Sequence, residues 1–469
     1  MPPSTAIVDP SDGSVLEQVG ETSPEQVEAA IARAADAQPE WARRSASERG
    51  AVLTALAGLI EAEAEELAEL EARNTGRTLR ETRGDVAGAA RTLRYNAGVV
   101  DGFGGRTLPV GAPGLLITRQ EPIGVCAAIT AWNAPLYLAA LKAAPALVTG
   151  NAVVLKPSDL TPLTSLRFAE LAQRAGLPGG LLEVVPGGVE TGVALVSSSH
   201  VGRVTFTGST AVGREIAKRV SGSFKRLTLE LGGKSACVVF PDVDPGTVGA
   251  LAPAAAFGMA GQDCCARSRL ILHEDIKDEF LEAYVEALRA IRIGPPLDPA
   301  TEMGPLISRA HRDRVHGFVE RSTADGGTVL AGGEVPGGDL AQGSYYTPTV
   351  VDGVAPGAEL AQSEVFGPVV AAMTFREEAE AVRLANDTEF GLSGSIWTAD
   401  VGRALRLSEA IRSGVLAINS NTSVYPEAPF GGVGQSGLGR ESGLAALEAN
   451  TETKTIFLSS ESPTKRSRT

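Results

Sequence analysis

The chain has 469 residues, of which 43% are hydrophobic and 21% charged, the balance of a globular protein with a sizeable core. Its formal net charge is -14, and no long basic run occurs before the last few residues, which argues against a nucleic-acid surface. Four cysteines are too few for a disulfide scaffold, and neither a signal-like start nor an apolar membrane-spanning stretch occurs, so a reduced cytoplasmic protein is expected. Residues 5–20 read as a hairpin, because Asp9-Pro10-Ser11-Asp12-Gly13 interrupts a short apolar stretch. Ser23-Pro24-Glu25 marks a helix start. The Ala-, Leu- and Glu-rich stretch 24–73 then predicts at least two amphipathic helices with a break near 37–40, and 79–99 predicts another. Residues 101–122 are Gly-rich and then alternate, as a hairpin arm does.

From 124 onward strands and helices alternate. Strands are expected at 125–129, 152–156, 182–185 and 204–207, and helices at 136–148, 161–175 and 189–197. That order predicts a largely parallel sheet with helices on both faces. The alternation restarts past 234, with a strand at 236–240, an Ala-rich helix at 246–261, a strand at 269–272 and helices at 275–291 and 305–324. Residues 365–375 and 392–397 look strand-like, and 451–458 alternates like an edge strand. Two α/β units joined near 232–236 are therefore expected, followed by a frayed tail.

Several turns in this frame carry chemistry-bearing residues. Gly261-Gln262-Asp263-Cys264-Cys265-Ala266 follows a small-residue helix, so Cys264 is either an exposed nucleophile or a buried, inert thiol. Thr228-Leu229-Glu230-Leu231-Gly232-Gly233-Lys234 puts a glutamate at a strand end beside a tight turn, where it acts as a base or merely caps the turn. Phe206-Thr207-Gly208-Ser209-Thr210-Ala211-Val212-Gly213 leads from a strand into a helix whose free N–H groups suit a pyrophosphate, although the spacing is not the usual dinucleotide fingerprint. Lys156 and Asp159, after another strand, suit a ribose or form a solvated turn pair. Asn133, after Trp132, offers an amide to an oxyanion or caps the next helix. The two adjacent cysteines lack a second ligand pair at metal-site spacing, so no metal is expected.

Taken together, five blocks resemble the aldehyde dehydrogenase superfamily, over about residues 7–458. They are Trp132-Asn133-x-Pro135, Glu230-Leu231-Gly232-Gly233-Lys234, Gly261-Gln262-x-Cys264, Glu364-Val365-Phe366-Gly367-Pro368 and Pro429-Phe430-Gly431-Gly432. The resemblance implies an α/β fold with a Rossmann-like NAD(P)-binding domain at 1–103 and 123–233. It implies a catalytic domain at 234–435, an oligomerisation arm at 104–122 and 451–460, and a flexible tail at 461–469. It also implies oxidation of an aldehyde to its acid, with Cys264 as nucleophile, Glu230 as general base, and Asn133 with the Cys264 N–H as oxyanion hole. Lys142 would lie near the nicotinamide. Trp132, Lys156, Asp159, Gly208, Ser209, Gly213, Leu231, Gly232, Glu364 and Phe366 would hold the cofactor. Asp159 favours NAD over NADP by repelling a 2′-phosphate, with NADP use as the alternative. The presence of Glu230 favours water over coenzyme A as the acceptor of the acyl group. Tyr137, Phe257, Asp263, Cys265, Tyr425 and Phe430 are the expected substrate-pocket residues, and their mostly apolar character suggests an uncharged aldehyde. A homodimer or homotetramer is the implied assembly.

Overall fold

The computed structural model describes residues 4–422 and 424–460. The expected tail at 461–469 lies outside them. Two parallel-based sheets dominate. The first runs, in spatial order, Gly437–Leu438, Arg226–Glu230, Val201–Thr207, Val125–Ile129, Ala152–Lys156 and Leu182–Val184. All neighbours in it are parallel except Gly437–Leu438, which runs antiparallel to Arg226–Glu230 and comes from far down the chain. The strands Val125–Ile129 and Ala152–Lys156 are buried at every position, which explains their continuous apolar runs. The first helix, Pro24–Arg43, packs on this sheet, and its Trp41 Nε1–H donates to the Leu147 carbonyl of the helix Pro135–Val148 at 2.7 Å.

The second sheet has seven strands, in the order Thr328–Ala331, Thr349–Asp352, Val369–Phe375, Arg269–His273, Ala236–Val239, Gly394–Trp397 and Ala417–Ile418. In chain order, sheet membership changes between Glu230 and Ala236. A third, three-stranded sheet pairs Thr451–Ser459 with Gly114–Pro122 over nine residue pairs, and Gly114–Pro122 with Thr107–Leu108. Ser4–Val8 and Val15–Gly20 form the expected hairpin. No helix among the described residues is long and apolar enough to cross a membrane.

Three sequence expectations are corrected. The first long helix, Pro24–Arg43, runs through Pro39 and does not break at 37–40. It ends instead at extended Arg44, because Ser45 and Glu48 form a capping box that starts Ala46–Ala62. The expected helix 246–261 is cut at Pro253 into Pro245–Leu251 and Pro253–Phe257, since proline cannot supply the N–H that would continue the first piece. The strand expected at 365–375 begins only at Val369, because Phe366 is left-handed (φ 57°) and Pro368 follows it.

Candidate active site

The turn carrying Cys264 is built from strained backbone. Met259, Ala260 and Gly261 are all left-handed, with φ of 56°, 53° and 69°. For non-glycine residues this costs free energy and persists only where the surroundings dictate it. Three hydrogen bonds do so. Glu81 Oε1 accepts the Met259 N–H at 2.6 Å, and the Gln262 side chain donates to the Met259 carbonyl at 3.1 Å. Gln262 Oε1 also accepts the Ile307 N–H at 2.9 Å. Cys264 emerges half-buried from this turn, and Cys265 is buried behind it against Leu392 and Phe430. The Cys264 thiol is held well above its ordinary pKa by a hydrogen bond with Cys265, by burial and by the carboxylates of Asp263 and Glu364.

Asn133 reaches the same turn from the other unit, its Nδ2 donating to the Gln262 carbonyl at 3.0 Å. The Asn133 carbonyl in turn accepts from Arg77 at 3.2 Å. Arg77 is buried in an ion pair with Asp85. Buried Glu71 accepts the Leu136 N–H at 3.2 Å and the Thr164 hydroxyl, so a charged network fixes the 130–136 loop from below. Glu230 ends the strand Arg226–Glu230, and both of its carboxylate oxygens are buried without a hydrogen bond. The following turn is unusually close to its surroundings. A Cβ on Gly233 would stand 2.3 Å from the Cys264 carbonyl oxygen, so only glycine lets the two motifs meet. Burial and the nearby Glu441 carboxylate push the Glu230 pKa well above the carboxylate range, with Lys142 opposing them.

A cleft of about 780 Å³ opens between the two units. Cys264, Glu230 and Asn133 line one end, with Trp132, Leu231, Gly232, Glu364 and Phe366. Lys156, Asp159, Gly208 and Ser209 line its extension along the first sheet. The volume falls in the range of cofactor pockets, roughly 300–1,000 Å³. Trp132 stacks edge-on with Phe366 and with His311, at 5.1 and 5.7 Å. Glu364 Oε1 accepts the Gly233 N–H at 2.9 Å, and burial raises its pKa to about 6. Lys156 donates to the Pro157 carbonyl at 2.8 Å, while Ser209 caps the helix Thr210–Val220 through the Val212 N–H. An elongated cleft with a carboxylate at one end, a lysine and an aspartate at the other and a helix N-terminus between suits a dinucleotide.

The sequence model of the aldehyde dehydrogenase family matches residues 2–456. The chain belongs to that family. A betaine aldehyde dehydrogenase of Brucella anthropi is 40% identical over 96% of this chain and 93% of its own length. A putative aldehyde dehydrogenase from Burkholderia cenocepacia superposes with a TM-score of 0.96 at 43% identity, covering 97% of this chain and 94% of that one. A betaine aldehyde dehydrogenase from Staphylococcus aureus, solved with NAD+, gives 0.96 at 36% identity over 98% and 92% of the two chains. The present protein is thus an aldehyde dehydrogenase, an oxidoreductase working with a nicotinamide dinucleotide.

Not every expected site residue of this aldehyde dehydrogenase reaches the cleft. Lys142 is fully buried on the helix Pro135–Val148, 2.5 Å from Glu441 and 3.1 Å from the Thr205 hydroxyl, and so lies beneath Glu230 instead of facing a cofactor. Gly213 packs the helix Thr210–Val220 on Leu231, where a Cβ would approach the leucine to 2.5 Å. Phe257 belongs to the core of the second unit, against Tyr284. Tyr425 is largely exposed. Tyr137, Met259 and Leu138 share a small apolar cluster near the thiols, and Asp263 Oδ1 accepts the Cys265 N–H at 2.9 Å. Sequence reasoning missed Arg77, Asp85, His311, Arg314 and Glu441. Of these, only the helical phase of His311 and Arg314 at the start of Arg309–Ala324 offered a signal.

Proposed function

We propose that this aldehyde dehydrogenase oxidises a small aldehyde bearing a positively charged nitrogen to its carboxylic acid, with NAD as cofactor. The convergence of Cys264, Glu230 and Asn133 on one end of the dinucleotide-sized cleft carries the catalytic reading. Bound NAD supplies the hydride acceptor. Trp132, Phe366 and Glu364 would hold its nicotinamide end, and Lys156 and Asp159 its adenosine ribose. Cys264 Sγ attacks the aldehyde carbon after its proton passes to Glu230, directly or through water, since burial and neighbouring carboxylates leave the resting thiol neutral. The Asn133 Nδ2–H and the Cys264 N–H stabilise the oxyanion, a contribution of about 3–4 kcal/mol per donor in comparable sites. Loss of hydride leaves a thioester on Cys264. Glu230 passes the thiol proton on to solvent, then takes a proton from the water that attacks the thioester carbon, and collapse of that adduct releases the acid and the Cys264 thiolate. Burial and Glu441 raise the Glu230 pKa, which makes its carboxylate a stronger base.

The substrate class rests on the surroundings of the thiols and on the relatives. The apolar liners that suggest an uncharged aldehyde lose force once Phe257 is in the core and Tyr425 at the surface. Beside Cys264, along with the apolar Phe430 and the Tyr137–Met259 cluster, stands the carboxylate of Asp263, with Asp85 close enough to interact with it. The Brucella relative acts, by its name, on betaine aldehyde, a cation. Asp159, exposed at the cleft rim, favours NAD. Reduced-cofactor formation with cationic, neutral and anionic aldehydes, each with NAD and NADP, tests all of this. The expected result is a kcat/KM at least tenfold higher for the cationic aldehydes, reduced toward the neutral ones in Asp263→Asn and abolished in Cys264→Ala. A preference for neutral aldehydes unaffected by Asp263→Asn would reject the substrate class. A requirement for coenzyme A would reject hydrolysis.

A further inference from the structure

We propose that Asp263, Cys264 and Cys265 form a chelating site for a thiophilic divalent cation, zinc or cadmium, whose binding reversibly silences the enzyme. One oxygen of Asp263 and both cysteine sulfurs lie within 4.8 Å of one another, and both thiols are free. Two thiolates and a carboxylate are a donor set that zinc and cadmium take readily, with a fourth position left for water. At a zinc–sulfur distance of about 2.3 Å, tetrahedral sulfurs stand about 3.8 Å apart. The observed spread of the sulfurs exceeds that by at most about an ångström.

The backbone beneath the three residues is already fixed. The Cys265 N–H donates to Asp263 Oδ1 at 2.9 Å, and the Ala266 N–H donates to the Asp263 carbonyl at 3.0 Å. The left-handed run from Met259 to Gly261 holds the turn from behind. Such a preformed turn spares the entropy of gathering ligands from a flexible loop. Cys264 lines the cleft, which gives the ion an entry path, while Cys265 sits 5% exposed among Leu392 and Phe430 on the dry side. The charges acting on Cys264 include the carboxylates of Asp263 and Glu364, a field that draws in a dication. Binding exchanges two thiol protons, released to solvent, for two metal–sulfur bonds. The Cys264 lone pair is then committed to the metal and no longer attacks an aldehyde. Cys265 and Asp263 thus turn a single reactive thiol into a chelate. The silencing rests on the reading of Cys264 as the nucleophile, whereas the binding does not.

The test uses the full-length protein in metal-free buffer. Cadmium titration should give the ultraviolet thiolate-to-cadmium charge-transfer band, saturating at one ion per chain. The band should fall to about half in Cys265→Ser and vanish in the Cys264→Ser/Cys265→Ser double variant. Zinc should inhibit dehydrogenase activity and a chelator should restore it. Measured against each variant's own metal-free rate, the zinc inhibition constant should rise at least tenfold in Cys265→Ser and several-fold in Asp263→Asn. A band that survives the double variant, or a Cys265→Ser enzyme as zinc-sensitive as the parent, would overturn the proposal. If Cys265→Ser fails to fold, Cys265→Ala and Asp263→Asn carry the same comparison. A chain that shows the band yet oxidises no aldehyde would keep the metal site and refute the catalytic reading.

Discussion

Glu230 and Glu441 illustrate how two carboxylates in one buried region set each other's chemistry. Glu441 Oε1 takes the Lys142 ammonium and the Thr205 hydroxyl, at 2.5 and 2.7 Å, while its other oxygen and both of Glu230's have no partner. The charge on Glu441 raises the Glu230 pKa, so the rising limb of the pH–rate profile should lie above the ordinary carboxylate range. Glu441→Gln should move that limb to lower pH, and Lys142→Met should move it to higher pH. A limb unmoved in both variants would separate Glu230 from the observed titration. Lys234 is a second buried titratable group. Its ammonium is 1% exposed, has no hydrogen-bond partner, and its pKa falls to about 7, mainly through burial. The unfolded chain therefore holds a proton that the folded chain lacks between about pH 7 and the ordinary lysine value of 10.5, so stability should rise with pH through that window. Lys234→Met should stabilise the fold by a few kcal/mol at neutral pH, and the gain should fade toward pH 10, as denaturant titrations at both pH values would show. Cys264, Glu230 and Asn133 were legible in the sequence because each sits in a short motif. Glu441 was not, since its link to Lys142 spans 299 residues and neither residue's neighbours announce the pairing.

Among the elements, the two turns that meet at the thiols matter most. Gly233 lies 2.3 Å, by its would-be Cβ, from the Cys264 carbonyl, so Gly233→Ala must push the two turns apart. Activity should fall at least a hundredfold, because misplacing reacting groups by about an ångström costs that much, while the melting temperature drops by only a few degrees. Equal loss of both would mean that the contact serves stability alone. Helix starts were readable where a side chain does the capping, as Ser23 and Gln26 do for Pro24–Arg43. Pro39 misled because proline usually ends a helix, yet here Ser45 and Glu48 decide where the chain turns. Ser45→Ala should cost about 1 kcal/mol of stability, measurable by chemical denaturation. The left-handed turn 259–261 was illegible for a similar reason. Met259 and Ala260 are good helix formers, and it is the distant Glu81 on the Met259 N–H, with Gln262 held in place by Ile307, that keeps the turn otherwise.

Across the whole molecule, the three-stranded arm sheet is a surface that leaves apolar side chains and a strand edge uncovered. Its edge strand Thr451–Ser459 exposes Phe457 and Leu458 at 46% and 53%, and Leu115 on the neighbouring strand is 45% exposed. We propose that another copy of the chain covers this sheet, giving a dimer or a tetramer. Ending the chain after Asn450 should leave a monomer in light scattering, and an unchanged mass would place the interface elsewhere. The same distant stretch of chain has a consequence for the order of assembly during synthesis. Glu230's strand gains its outer neighbour only when Gly437–Leu438 arrives, and Lys142 gains its counter-charge only with Glu441. A ribosome that has released the entire first unit has therefore produced a sheet with one bare edge and a buried cation awaiting its partner. The cleft's lining is complete at Phe366, but the support around Glu230 is not until residues 437–441 have left the exit tunnel, so the nascent enzyme should acquire its catalytic base after its cofactor cleft.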